Sequence, residues 1–146
     1  MASLVYNGYK AGVMNGSIDT DTDDVRVALV MTNTTCDTEE DVVLMNAFTT
    51  LDEQDGAAYV RKALSLTIQQ DDTNDRAELI VSAATTWTAL GIGTRLCQGV
   101  LFLKHVTNDT DSIPLFFSEF SANVGPANPT GDFTINWDAQ GAIQLS

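Results

Sequence analysis

Basic residues are scarce in this chain: seven Lys and Arg stand against twenty Asp and Glu, a formal net charge of −13 over 146 residues. Such a chain repels phosphate backbones and offers no basic stripe, so neither nucleic acid nor an anionic membrane surface is an expected partner. Histidine is scarcer still. His105 is the single one, so one chain cannot build a multi-histidine metal site, and without a Gly-x-Ser-x-Gly elbow no serine triad is indicated. The two cysteines, Cys36 and Cys97, lie far apart with no Cys-x-x-Cys or Cys/His cluster. One disulfide is arithmetically possible, but two packed thiols in a reducing compartment are the expectation. Long apolar runs are missing too. No window approaches the roughly 18 residues of a membrane-spanning helix, and the start of the chain lacks the basic-then-apolar order of an export signal, so neither a membrane-embedded nor a conventionally exported protein is expected. Gly91 and Gly93 form a Gly-x-Gly with no third glycine and no helix pattern behind it, which supports neither a dinucleotide fold nor a P-loop. With no repeat, low-complexity segment or linker, residues 1–146 read as one domain.

What is present is the composition of a packed domain, 44% apolar and only 18% charged, and a chain of this length buries about 68 to 70% of its unfolded surface on folding. The densest apolar run lies between Arg95 and His105. Val100-Leu101-Phe102-Leu103 sends large side chains to both faces of a strand, which predicts a central strand covered on both sides. Val25, Val27, Leu29 and Met31 alternate, predicting a strand over 25–31. Leu64, Leu66 and Ile68 oppose Ser65, Thr67 and Gln69 in a half-exposed strand over 63–70. After a five-residue turn at 71–75 the chain returns over 76–82 with Ala77, Leu79 and Val81 inward, a hairpin. Trp87 and Leu90 fall in a Thr- and Gly-punctuated link. A strand over 113–120 carries Pro114, which favours an edge or a strand end. Residues 121–131 read as a long loop, 133–137 as an alternating strand, 138–141 as a turn and 142–145 as a last short strand.

Two helices are expected near the N-terminus. Val5, Tyr9 and Val13 share one face of a helix over 3–15, with Ser3 as cap and Gly16 as stop. Gly8 and Gly12 inside it cost about 1 kcal/mol each relative to alanine, so this helix depends on docking or on close packing at its glycine face. Thr38-Glu39-Glu40-Asp41 has the form of a capping box ahead of Val42, Met45 and Phe48, which predicts a second short helix ending about Phe48. The whole reads as an α+β, β-rich fold with an antiparallel β-sandwich-like core and one or two short N-terminal helices.

Chemistry-bearing clusters are few. Asp19, Asp21 and Asp23 have the Asp-x-Asp-x-Asp spacing that gathers hard oxygen ligands around calcium. The continuation fails, because Asp24 stands where an EF-hand needs glycine and Val30 where it needs a bidentate glutamate, so a solvated strand-entry loop is the stronger reading. Asp71, Asp72 and Asp75, like Asp109 and Asp111, are turn acids. Paired carboxylates serve glycoside hydrolysis, but among twenty acids pairs arise by chance. His105 reads as a strand-end histidine satisfied by a local hydrogen bond. No catalytic residue, cofactor or enzymatic activity is indicated.

A family resemblance adds a role. Tyr6-Asn7-Gly8-Tyr9-Lys10, then Met14-Asn15-Gly16-Ser17-Ile18-Asp19, then Asp23 ahead of Val25-Arg26-Val27-Ala28-Leu29 resembles the start of a group of small tailed-phage virion proteins. Asn74-Asp75-Arg76-Ala77, Trp87, Phe133-Thr134-Ile135-Asn136-Trp137 and Gly141 follow in that group's order, so the match spans nearly the whole chain. The resemblance implies a bacteriophage capsid decoration (cement) protein, a β-rich auxiliary head protein. It would bind the outer capsid surface of the virion, commonly as a homotrimer at threefold positions, after time in the host cytoplasm during assembly. Its partner would be the major capsid protein, with no nucleic acid, membrane or cofactor. The alternative it allows is a tail or fibre component that binds glycans. The chain departs from the group between Gly56 and Lys62, where Tyr59 is followed by Val60-Arg61-Lys62 in place of glycines, and contacts made by that loop in relatives do not carry over. A cementing role asks for rigidity and many copies of one modest contact, and acidity is tolerable on the side of the shell away from the DNA.

Overall fold

The computed structural model describes residues 3–126, 131–139 and 141–145. In chain order the elements are β1 (Ser3–Val5), α1 (Asn7–Asn15), β2 (Val25–Met31), a 3-10 turn (Met45–Ala47) and β3 (Lys62–Ala63). Then follow β4 (Leu66–Asp71), β5 (Arg76–Val81), β6 (Thr85–Leu90), β7 (Cys97–Lys104), β8 (Ile113–Val124), β9 (Gly131–Ile135) and β10 (Ile143–Leu145). The β-rich α+β class is as expected.

The main sheet has five antiparallel strands in the order β1-β8-β7-β2-β3. β7 lies at its centre, between β8 and β2, where its apolar run placed it. The run serves two cores. Val100 and Phe102 join Val27 and Leu29 on one face, packed against Leu79 and Val81 of β5 and Trp87 and Leu90 of β6. Leu101 and Leu103 join Ala28, Val30 and Phe117 on the other, covered by Tyr6, Cys36, Met45 and Phe48. The first core is therefore a sandwich between the main sheet and an outer layer, and the second is roofed by the segment between β2 and β3. The outer layer is divided, into a three-stranded sheet of order β10-β5-β4 and a two-stranded sheet β6-β9.

Several elements differ from expectation. The first helix starts at Asn7 with Tyr6 as its N-cap, and Ser3 belongs to β1 instead of capping. Tyr6 is fully buried and its hydroxyl donates to the Cys36 carbonyl at 2.6 Å, so the chain is anchored there before the helix begins. Gly16 does end the helix, at φ 74, the left-handed conformation that glycine adopts without steric cost. The second helix reduces to one 3-10 turn at Met45–Ala47. Glu39 does not cap a helix there. Its carboxylate accepts from the Thr35 hydroxyl and the Thr49 N–H at 2.8 and 2.9 Å, cross-tying the roof segment.

The strand expected over 63–70 is two strands in different sheets. The Leu64 N–H donates to Val25 of the main sheet and the Ser82 N–H to Ser65, so the chain passes from one layer to the other at 64–65. The hairpin over 66–81 forms with register Asp71↔Arg76 and Leu66↔Val81, a four-residue connection in place of five. The link holding Trp87 is a strand, β6, and β8 runs on to Val124, which shortens the loop expected over 121–131. Part of that loop, residues 127–130, lies outside the described residues. Pro114 stands at the second position of β8, beside a register shift at Phe102/Leu103, where a missing N–H is tolerated. β9 ends at Ile135, short of the expected Trp137. The turn into β10 closes with the Gly141 N–H on the Asp138 carbonyl.

Candidate functional site

The acidic loop before β2 uses its carboxylates to cap its own turn and to pair with neighbouring strands. Asp23 accepts the Asp19 N–H at 2.8 Å and Asp19 accepts the Asp21 N–H at 3.1 Å. Asp23 also pairs with Lys104 at 2.8 Å, and Asp24 with Arg26 at 2.7 Å. The Arg26 guanidinium holds the Asp24 carboxyl below its usual range. Asp19 and Asp23 thus act as turn caps, with Asp21 contributing its backbone N–H, and among the described residues no three His, Cys, Asp or Glu side chains gather as metal ligands. Asp71 and Asp111 cap their own turns in the same way.

His105 follows β7 and its backbone N–H reaches the Asp24 carbonyl at 2.8 Å. The expected local satisfaction stops there: the ring Nδ1 is buried without a hydrogen-bond partner. Both thiols are free and buried. Burial pushes Cys36 up to about 12 and Cys97 up to about 11, so neither is a thiolate nucleophile near neutral pH.

The segment from Tyr59 to Arg61 is a structural lock that spacing did not reveal. Tyr59 stacks on Trp87 with centroids 6.5 Å apart, and the indole donates to the Val60 carbonyl at 2.7 Å. The Tyr59 hydroxyl donates to Glu53 at 2.7 Å and accepts the Leu29 N–H at 3.0 Å. Arg61 makes a fork to Glu53 and a second to Asp109, with shortest contacts of 2.6 and 2.5 Å. Burial alone would lower the Arg61 pKa, but the two carboxylates outweigh it and the guanidinium stays charged. Along the same flank the Met31 N–H bonds Asp52 and the Leu29 carbonyl receives the Gln54 N–H. The outer edge of β2 is sealed by these bonds and by β3.

The opposite flank is open. A groove of about 1020 Å³ has Val100 and Phe102 as its floor, residues 133–138 and 141–144 as one wall, and the end of β8 as its lip. Trp137 meets Phe102 edge-on at 5.3 Å and donates its indole N–H to Thr85 at 2.8 Å, which fixes one side of the groove. The alternation in 133–137 pointed to an inward face but not to a groove, which forms only where β8, β9 and β10 converge.

Near the lip, two exposed apolar side chains are held on a braced loop. Ile92 is 58% and Leu96 52% exposed. The loop between them is tied by Thr94 to Asp55 at 2.8 and 2.9 Å and by Arg95 to Asp52. Fixed loops with exposed apolar tips suit contact with another macromolecule. Comparison with protein-family models, curated proteins and solved structures returns no match.

Proposed function

We propose that the chain is a bacteriophage capsid decoration (cement) protein, a homotrimer that binds the outer surface of the assembled head and bridges major capsid protein subunits. The observation that carries this reading is the ordered set of motifs from Tyr6 to Gly141 that resembles small tailed-phage virion proteins. The geometry supports it in two ways. The quoted residues set the frame: Tyr6 and Trp87 are fully buried, and Gly16 stops α1. The surface offers a braced apolar loop and an apolar groove, features suited to macromolecular contact.

A clamp that binds the assembled lattice and not the free subunit stabilises the shell by linkage, and trimeric engagement turns a modest contact into slow release. Heads stripped of this protein are expected to leak DNA at a lower temperature than decorated heads, and purified protein should restore the difference. Equal leakage temperatures with the protein bound would overturn cementing. Quantitative mass spectrometry of virions and tail-less heads separates the other role. A decoration protein remains on tail-less heads in hundreds of copies, whereas a tail or fibre component is scarce and absent from them.

A further inference from the structure

We infer that the groove between β8, β9 and β10 accepts an extended peptide segment whose apolar side chains alternate with lysine or arginine. On the function proposed above, that segment belongs to the shell subunit. Only this last attribution rests on that proposal.

The outer layer of the sandwich is interrupted where the groove lies. β9 and β10 are end strands of separate sheets, and among the described residues neither has a ladder partner on its second side. The groove is bordered by residues 133–135 of β9, 143–144 of β10 and residues 136–138 and 141–142 of the connection between them. The lip bends away from the ladder. Glu119 pairs with Gly99 and Val124 with Cys97, so four residues of β8 between them have no partner in β7, a bulge that opens the edge. A small apolar ligand would use the floor alone, whereas an extended chain can also add as a strand to the end strand β9 while alternate side chains enter the apolar floor. The five residues of β9 span about 17 Å at about 3.3 Å per residue, room for a segment of similar length.

Charge selects the occupant. The charged side chains among those lining the groove are Glu119 and Asp138, both acidic, in a chain of net charge −13. A second copy would bring the same charge again, whereas a segment with basic residues at its polar positions complements it.

The probe is the end-capped peptide Lys-Val-Lys-Val-Lys-Val-Lys with the unaltered protein, read by calorimetry and amide chemical shifts. Saturable binding is expected, with shifts confined to β9, β10 and the β8 lip. Affinity should fall at least about tenfold when alternate peptide nitrogens are methylated, and again when Glu replaces Lys. Ala122→Arg, at an exposed position on the lip, should leave the melting temperature unchanged and weaken peptide and head binding by about tenfold. No saturable binding up to roughly millimolar peptide, or equal binding of the methylated peptide, overturns the inference. A dimer dissolved by Ala122→Arg also overturns it, in favour of a second copy. If heads bind the variant normally while the peptide does not, the shell segment is not the occupant and cementing stands. If the peptide binds as expected and heads bind neither form, the decoration reading fails and the groove keeps its ligand class.

Discussion

Arg61 joins parts of the chain that are remote in sequence, reaching Glu53 and, 48 positions away, Asp109. Its side chain is only 18% exposed, so truncation leaves the half-buried Glu53 and the more exposed Asp109 without their shared cation. Breaking a buried pair by removing one partner costs about 3 to 5 kcal/mol, and Asp109 is solvated enough to place the cost of Arg61→Ala near the lower end, about 3 kcal/mol. Arg61→Lys keeps the charge but loses both forks, so it should retain only part of the stability. Combining Arg61→Met with Glu53→Gln and Asp109→Asn removes the stranded charges and should recover more than half of the loss. Urea denaturation measures all three. A triple variant as unstable as Arg61→Ala would show that the side chain matters for packing and not for charge. None of this was legible beforehand. Tyr59-Val60-Arg61-Lys62 read only as a departure from a family pattern, because nothing local announces an ion pair closed over 48 positions.

The elements that were legible are those with an uninterrupted period. Val25 to Met31 alternates without a break, and the run from Val100 to Leu103 needs cover on both faces, so β2 and β7 follow from the residues alone. β6 was hidden because its ladder shifts register between Trp87 and Leu90, where Ala89 takes φ 52. The shift puts both Trp87 and Leu90 inside, three apart, and erases the period of two. The split of 63–70 was hidden because alternation records which face is buried and not which sheet is joined. α1 shows the same limit and offers a test of it. Its two glycines look equivalent in sequence. A Cβ on Gly8 would meet nothing nearer than 3.8 Å, while one on Gly12 would run into the side chain of Ile18, which is 4% exposed and has no room to swing away. Gly8→Ala should therefore stabilise by up to about 1 kcal/mol through helix propensity. Gly12→Ala should destabilise by about 1 to 3 kcal/mol through overpacking. A Gly12→Ala melting temperature at or above that of the unaltered protein would show that the glycine face of α1 is not in close contact.

For the whole molecule, two electrostatic effects oppose each other as pH falls. At neutral pH the net charge of −13 is a self-repulsion that favours expansion. Acidification toward the isoelectric point near 4.1 relieves it, and stability should rise. Against this stand carboxyls whose pKa is held below 3.8 in the folded chain: Asp24 by Arg26, Asp52 by Arg95, Asp55 by the Thr94 N–H, Asp71 by Asn74 and Asp111 by the Asn108 N–H. A depressed folded pKa means that the unfolded chain binds more protons. The stability these groups contribute is complete above about 3.9, their unfolded value, and is lost as pH falls through the folded values. Repulsion thus governs the limb above pH about 5 and the capped turns govern the limb below about 4. The urea midpoint should peak between them. Added salt screens exposed charges over about 3 Å at 1 M, so it should flatten the neutral limb and leave most of the acid limb in place, because its hydrogen bonds are made at contact. A midpoint that climbs steadily from pH 4 to 8 at low salt would show that repulsion among the acids is too weak to govern stability over that range.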